Sequence, residues 1–398
     1  MEKRQINMIN SQEIPHLIKY MGSKREILDD IGLAIETLGV TSEWFCDLFA
    51  GTSIVSCALK NQFNIQSNDI QEYSSIFAHT YFLNLDKAIK KTVIEEIHEK
   101  VLVLVNEFCI KYPELNFDYA TIEQFDDLRA LEVAQQKLID QEFEIGFSLF
   151  TRYYSGTYWS FNQCIWIDSI RAVAEEYKGE AEYYAILSAL IFAMSYTTQS
   201  TGHFAQYRDV TESNMHDILL YRNKDIWSLF SRKFEELINT LNVSSKKEYK
   251  ITTLDYTDCL RIIEENTIVY ADPPYSAVHY SRFYHAIETL VKYDHPIIKY
   301  KGRYRDDRHQ SPFDKKTEVS SAFKLLFENV KLKSSHLILS YSDNGMISQK
   351  EILQIGKSIF GKDYDCNLKT KEYIHSKMGR SDEYQMDVNE LIITYRKK

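Results

Sequence analysis

Proline and glycine are scarce in the 398-residue sequence, at 6 and 13 residues. This excludes collagen-like, linker-rich and low-complexity architectures. The six cysteines (Cys46, Cys57, Cys109, Cys164, Cys259 and Cys366) are scattered without a Cys-x-x-Cys pair. That pattern gives neither a zinc-site spacing nor a disulfide framework, so they read as reduced, mostly buried thiols. No apolar stretch reaches the roughly 18 residues a membrane span needs, the closest being Tyr183 to Tyr196, and the polar N-terminus lacks a signal-peptide core. A cytoplasmic protein without a membrane partner is the expectation. Positive charge is also short: a net charge of -10 argues against a uniformly basic nucleic-acid binder, because neutralising phosphates takes clustered Lys and Arg.

What is present is apolar and aromatic. With 44% hydrophobic positions, 28 Tyr and 21 Phe, the chain can bury real cores, and its length predicts two or three domains of about 150 residues. One local basic run stands out, holding Lys299, Lys301, Arg303, Arg305, Arg308, Lys315 and Lys316 against Asp306, Asp307 and Asp314. No repeat of solenoid or propeller period and no sustained heptad is found.

Periodicity divides the chain. Ile27, Ile31, Ala34, Ile35 and Leu38 recur at helical spacing and are followed by a strand over Trp44–Phe49, a turn, and a second strand over Phe63–Ser67. From about residue 86 to 247 helical stretches dominate, including Lys87–Ile110, Tyr119–Asp140 and Tyr183–Met194. Strand signals then return at Tyr249–Thr253, Thr267–Ala271 and His336–Ser340, with a helix carrying Phe323, Leu326, Phe327 and Val330 on one face. Lys371–His375 and Glu390–Tyr395 are expected to close the sheet as an antiparallel pair. The predicted fold class is α/β: a mostly parallel, Rossmann-like sheet with helices on both faces, divided into segments 1–85 and 248–398 by a mostly helical insertion over 86–247.

The strongest chemical signal is Asp272-Pro273-Pro274-Tyr275, directly after a strand, at the carboxyl end where open α/β sheets bind ligands. Two prolines remove two backbone donors and fix φ, leaving rigid carbonyl acceptors that cannot pair as a ladder. The Asp272 carboxylate and the Pro273 carbonyl suit the two N–H groups of a planar exocyclic amine, with Tyr275 placed to stack on the attached ring. The second signal is Asp47-Leu48-Phe49-Ala50-Gly51-Thr52-Ser53, running from a strand into a helix, where small residues let a ligand approach a helix N-terminus. Asp69, 22 residues after Asp47, stands near the spacing at which an acid takes ribose hydroxyls, although an ordinary helix N-cap is the alternative.

Together these residues resemble the S-adenosylmethionine-dependent N6-adenine DNA methyltransferases of the DNA adenine methylase type, in which the cofactor motif precedes the Asp-Pro-Pro-Tyr motif. Lys19-Tyr20-Met21-Gly22-Ser23-Lys24 is similar to that family's N-terminal cofactor segment. The Phe-x-Gly-x-Gly loop departs from the family at Ser53, which adds a Cβ at a tight turn where the family usually has its second glycine. The resemblance implies a Rossmann-like methyltransferase domain with an inserted target-recognition region, and S-adenosylmethionine as cofactor. It places Tyr20 and Lys24 near the methionine portion of the cofactor, Asp47, Phe49, Ala50, Gly51 and Thr52 in the cofactor loop, and Asp69 at the ribose. Asp255 and Tyr256 match the acidic-aromatic segment near the cofactor's adenine, with core packing as the alternative for Tyr256.

The implied reaction is methyl transfer to N6 of an adenine flipped out of duplex DNA, with Asp272, Pro273, Pro274 and Tyr275 at the reacting amine and no metal. The segment after the motif, with His279, Tyr280 and Arg282, and the basic run, with Arg303 and Arg305, are expected to grip phosphates around the flipped base. Aromatic loops Arg152–Trp159 and Ser200–Arg208 are suited equally to reading bases and to packing. The expected setting is restriction-modification or phage defence, with a cognate restriction endonuclease as a further partner. Two other readings stay open: an RNA adenine methyltransferase, and a nucleic-acid-binding subunit of weak activity. A glutamine amide is disfavoured, since those methylases usually carry Asn where this chain has Asp272.

Overall fold

A computed structural model describes residues 6–83, 85, 89, 92–200, 203–241, 245–276, 278–373 and 388–398. Nine strands are found among them: β1 Trp44–Asp47, β2 Asn64–Asn68, β3 Tyr249–Thr252, β4 Ile268–Ala271, β5 Ile298–Lys299, β6 Tyr304–Arg305, β7 His336–Ser342, β8 Tyr364–Tyr373 and β9 Val388–Lys397. Seven form one sheet in the order β3-β2-β1-β4-β7-β9-β8, while β5 and β6 make a separate hairpin. The first five run parallel, and β9 is antiparallel to both β7 and β8. The fold is the expected α/β class with a mostly parallel sheet.

The central strands are buried throughout, as β-rich runs covered on both faces must be. Their alternation sorts two cores. Phe45, Tyr270 and Ile338 point to one face, while Cys46, Val269, Leu337 and Leu339 point to the other. Against the second face pack α14 (Val319–Leu332) and α15 (Gln349–Phe360), through Phe323, Leu326, Phe327, Ile352 and Phe360. The first face carries α1 (Leu28–Leu38), α2 (Ile54–Leu59) and α3 (Glu72–Phe82), then the helices of the middle region: α4 Val93–Lys111, α5 Phe125–Gln136, α6 Leu149–Tyr154, α7 Phe161–Glu176, α8 Ala181–Thr197, α9 Met215–Arg222 and α10 Ile226–Thr240. Most of those middle helices share one apolar cluster with the sheet, joining Trp159, Leu190 and Phe234 to Phe45 and Ile65. These middle helices share a core with the sheet, with α8 packed on α3 and α3 in turn on β2 and β3.

Elements shift from the sequence reading for physical reasons. Of Lys87–Ile110, α4 begins at Val93 and Lys87 lies outside the described residues. The Tyr119–Asp140 stretch is helical over Phe125–Gln136, and Asp140 itself adopts a left-handed φ of 69°. Helices α6, α7, α9 and α10 have no counterpart among the stretches named from the sequence, and α6 takes in Arg152, Tyr153 and Tyr154, expected there as part of an aromatic loop. α7 is buried almost throughout and buries Gln163, Asp168, Ser169 and Arg171 alongside its apolar residues, so hydropathy does not sort into an amphipathic stripe; a Ser160–Gln163 capping box marks its start. The antiparallel closing pair is present, but β8 starts at Tyr364, and the expected residues 374–375 lie outside the described residues.

Strand order reverses at β1, which has β2 on one side and β4 on the other. The crevice at the carboxyl ends of β1 and β4 is thus the topological switch point. Asp47 is paired in register with Tyr270, so the loops leaving β1 and β4 emerge side by side.

Candidate active site

The loop after β1 is built from tight backbone geometry. Asp47 is buried and accepts hydrogen bonds from the Ser56 backbone N–H (3.2 Å) and hydroxyl (2.8 Å), so it caps the first turn of α2. Burial pushes its carboxyl up to about 7, against those two bonds. Gly51 takes φ +52° and donates its N–H to Asp69 Oδ2 at 2.8 Å, while the N–H of Gln71 donates to Asp69 Oδ1 at 2.9 Å. Asp69 is thereby both the loop's clamp and the cap of the next turn. Ser53 sits in the left-handed region (φ 56°, ψ 24°) and is fully buried. A side chain there costs about 1 kcal/mol relative to glycine.

Neighbouring strands brace the loop. Asn68 donates to the carbonyls of Leu48 (3.2 Å) and Leu254 (3.0 Å) and accepts from the Leu254 N–H (3.1 Å), stitching the ends of β1 and β3 together. Asp255 caps α11 (Tyr256–Ile262) by accepting from the Thr257 N–H at 2.9 Å. Phe49 and Tyr256 stack at 5.9 Å between centroids, and Phe313 meets both rings edge-on. They form one aromatic wall.

The loop after β4 carries a different electrostatic arrangement. Lys24, on a 3-10 turn, is buried with its Nζ 2.9 Å from Asp272 Oδ1 and 2.9 Å from Glu390 Oε1. The Ser340 hydroxyl also donates to Glu390. Burial and the nearby Glu390 raise Asp272 to about 6 while Lys24 opposes the rise. Although burial alone would lower it, the two carboxylates hold the Lys24 ammonium well above its ordinary value. Tyr275 lies edge-on to Tyr341 at 6.1 Å.

The N-terminal segment closes the cleft from the side. Tyr20 stacks on Tyr284 (4.5 Å, 14°), the Met21 N–H donates to the Tyr284 hydroxyl (2.7 Å), and Gly22 takes φ +74° against Tyr280. A Cβ at Gly22 would lie 2.7 Å from the Tyr280 hydroxyl, so only glycine fits this approach. On the opposite side the chain from His309 to Asp314 lines the cleft, and His279 Nδ1 lies 2.8 Å from Asp314 Oδ2. Burial lifts the Asp314 carboxyl to about 7. The enclosed space, counted with its open mouth, is about 1040 Å³.

This one cleft is lined by Asp272, Pro273, Pro274 and Tyr275, by Tyr20, Lys24, Asp47, Phe49, Ala50, Gly51, Thr52, Asp69, Asp255 and Tyr256, and by His279 and Tyr280. Three residues expected at a phosphate are absent from its lining. Arg282 donates to the Tyr304 hydroxyl (3.0 Å), and Arg303 donates to the Tyr153 carbonyl (2.9 Å) and Asp140 (2.7 Å). Arg305 has a side chain only 1% exposed, with its guanidinium held between Asp294 and Asp307. It has no donor face to offer a phosphate, and its part is to lock the β5–β6 hairpin. The basic run is largely charge-balanced in the same way, Lys299 by Asp306, Lys301 by Asp209 and Lys315 by Glu318. In the aromatic loops, Tyr154, Tyr158, Trp159 and Phe204 are buried, and Tyr158 donates to the Gly302 carbonyl at 2.9 Å, so these rings pack the insertion against the hairpin. Thr201 and Gly202 lie outside the described residues.

Sequence reasoning missed Asn68, Gln71, Asp314 and Glu390. Glu390 did leave a signal: a lone acid beside the apolar run Leu391-Ile392-Ile393 in a buried strand. Among the described residues, no group of three or more His, Cys, Asp or Glu is placed to hold a metal ion, and no helix is long and apolar enough to cross a membrane.

An α/β sheet with an acid-capped glycine loop and an Asp-Pro-Pro-Tyr turn facing each other across its switch point defines the class of amino-directed methyltransferases. Residues 20–342 match the family described as D12 class N6 adenine-specific DNA methyltransferase, and the chain belongs to that family. It is 25% identical over 371 residues to the modification methylase StsI of Streptococcus sanguinis, covering 89% of this chain and 48% of that protein. The type II methyltransferase M.FokI of Planomicrobium okeanokoites is 26% identical over 359 residues, covering 86% and 47%. The type II methyltransferase M.NlaIII of Neisseria lactamica is 23% identical over 375 residues, covering 92% and 94%. The chain thus spans about half the length of the first two relatives and nearly all of the third.

Proposed function

We propose that this protein transfers a methyl group from S-adenosylmethionine to N6 of an adenine within one short DNA sequence, as the modification activity of a bacterial restriction-modification system with a cognate endonuclease. The observation that carries the reading is the placement of Asp272–Tyr275 and the Asp47–Ser53 loop on either side of one switch-point cleft in a member of this family. The cleft also suits a polar, nucleoside-bearing cofactor. Gln71 Oε1 and Asp314 Oδ1 are buried on its walls without a hydrogen-bond partner, which is costly unless a ligand supplies one.

In this reading Phe49 and Tyr256 sandwich or edge the cofactor's adenine, with Asp255 beside it, and Asp69 keeps acceptor capacity for ribose hydroxyls. Tyr20, Asp47, Ala50, Gly51 and Thr52 shape the floor. When bound, S-adenosylmethionine supplies an electrophilic methyl carried on a sulfonium. The protein's own task is to make the adenine amine a nucleophile. The Asp272 carboxylate and the Pro273 carbonyl accept hydrogen bonds from the two N6–H groups, drawing the lone pair out of ring conjugation, while Pro274 fixes the turn and Tyr275 stacks on the flipped base; as the N–C bond replaces the S–C bond, one N6 proton is lost and S-adenosylhomocysteine is the leaving product. Lys24, rather than serving the cofactor alone, keeps Asp272 charged. His279 and Tyr280 border the opening through which the base arrives, and the helical layer over 92–241 reads the target sequence. Such a protein works in the cytoplasm, where its DNA is.

The deciding experiment supplies labelled S-adenosylmethionine and mixed-sequence duplex DNA, then analyses nucleosides and maps the modified positions. N6-methyladenine confined to one short motif is the expected result. Cofactor binding without labelled DNA would move the reading to RNA or to a subunit needing a partner, and absence of saturable cofactor binding would overturn it.

A further inference from the structure

The buried triad behind the Asp-Pro-Pro-Tyr turn contains one residue that no motif covers. Glu390 lies on β9, beyond the matched span 20–342, with its side chain only 2% exposed. Lys24, on a turn near the other end of the chain, bridges it to Asp272 through two 2.9 Å contacts. A buried acid facing a buried lysine is costly to both unless they are paired, so each fixes the other's position. Lys24 is therefore divided between two carboxylates, one of which faces the substrate.

We infer that Glu390 is a positioning residue for methyl transfer: it holds the Lys24 ammonium beside Asp272 and, by competing for it, sets how strongly Asp272 is drawn to the ionised state that accepts the amine. The inference rests on the proposed role of Asp272. The groups facing that carboxylate are Lys24 from the N-terminal turn, Glu390 from β9, Asp47 from β1, Tyr270 from β4 and Tyr280 from the segment after the turn, while Tyr275 faces Lys24 and Tyr280. Lys24 is the cation among them. Removing the charge of Glu390 leaves Lys24 to Asp272 alone and favours its ionised form. Removing Lys24 does the reverse.

The signs are therefore opposite, which a merely structural role would not produce. The test follows transfer by the full chain to its mapped DNA site across pH at saturating S-adenosylmethionine, with thermal melting and cofactor binding measured alongside. Glu390→Gln is expected to move the acid limb of kcat down by about one pH unit and Lys24→Met to move it up by about as much. An unmoved limb in Glu390→Gln, or shifts of the same sign, overturns the inference. If Glu390→Gln folds and binds cofactor but transfers nothing, Glu390→Asp decides: restored transfer supports the positioning role and continued inactivity overturns it. Wild-type protein that leaves no N6-methyladenine in DNA would instead refute the functional reading on which this one stands.

Discussion

The two walls of the cleft handle their acids in different ways. On the β1 side, Asp47, Asp69 and Asp255 are satisfied by backbone N–H groups and a serine or threonine hydroxyl. On the β4 side, Asp272 is met by a buried ammonium shared with Glu390. Backbone donors are fixed by the fold and belong to the loop geometry, so the first wall is a rigid mould. An ion pair can be biased by neighbouring charge, so the second wall is adjustable at the place where the chemistry is proposed to occur.

Breaking the adjustable wall should show the largest effect. Asp272→Ala removes the amine acceptor while leaving Lys24 with Glu390, so transfer should fall by at least about 100-fold with cofactor affinity and melting little changed. Single-turnover methylation measures this, and near-wild-type rates would remove Asp272 from the chemistry. On the rigid wall, Asp69→Ala strands the buried N–H groups of Gly51 and Gln71. A loss of about 2–3 kcal/mol in stability is expected, together with weaker cofactor binding. Denaturant unfolding checks it, and a loss confined to kcat would reverse the assignment of the two walls.

The pH response of stability sharpens the contrast further. Asp47 has its folded pKa raised to about 7, so the native state holds a proton that the unfolded chain has released above about 4. Stability from this group is complete at low pH and declines as pH rises between those values. Asp47→Asn should flatten that decline, read as a melting temperature that falls less than the wild type's between pH 5 and pH 8. The smallest effect is expected from Ser53→Gly. Relief of its left-handed φ should stabilise the protein by about 0.5–1 kcal/mol and loosen the cofactor loop little. Destabilisation by that change would mean that the Ser53–Ser67 hydroxyl contact at 3.4 Å outweighs the backbone strain.

The turn of the adjustable wall was the most legible feature in the sequence, and the loop of the rigid wall came next. Acid, small residues and glycine follow one another along a few positions, and the Asp-Pro-Pro-Tyr turn announces itself after an apolar strand, so local chemistry sufficed to find both. The central strands were equally visible, because their β-branched and aromatic runs match a sheet covered on both faces. What escaped depends on contacts between distant segments. Glu390 acquires its meaning only when β9 is laid beside β7, which puts it next to Ser340 and within reach of Lys24. Arg305 misled for the opposite reason: a basic residue in a basic run looks solvent-facing until Asp294 and Asp307 fold around it. The helix α7 was hidden because Gln163, Asp168, Ser169 and Arg171 are buried with its apolar residues, so hydropathy does not mark its inner face.

Lys24 and Glu390 are separated by 366 positions along the chain. A ribosome makes Lys24 long before its buried counter-charge, which follows only after the sheet's parallel strands and the Asp-Pro-Pro-Tyr turn have all emerged. A nascent chain interrupted before β9 would hold every recognisable motif and still lack the carboxylate that steadies Lys24. Synthesis through β9 thus becomes a condition for assembling the centre, at the one place where the reacting group would be charged.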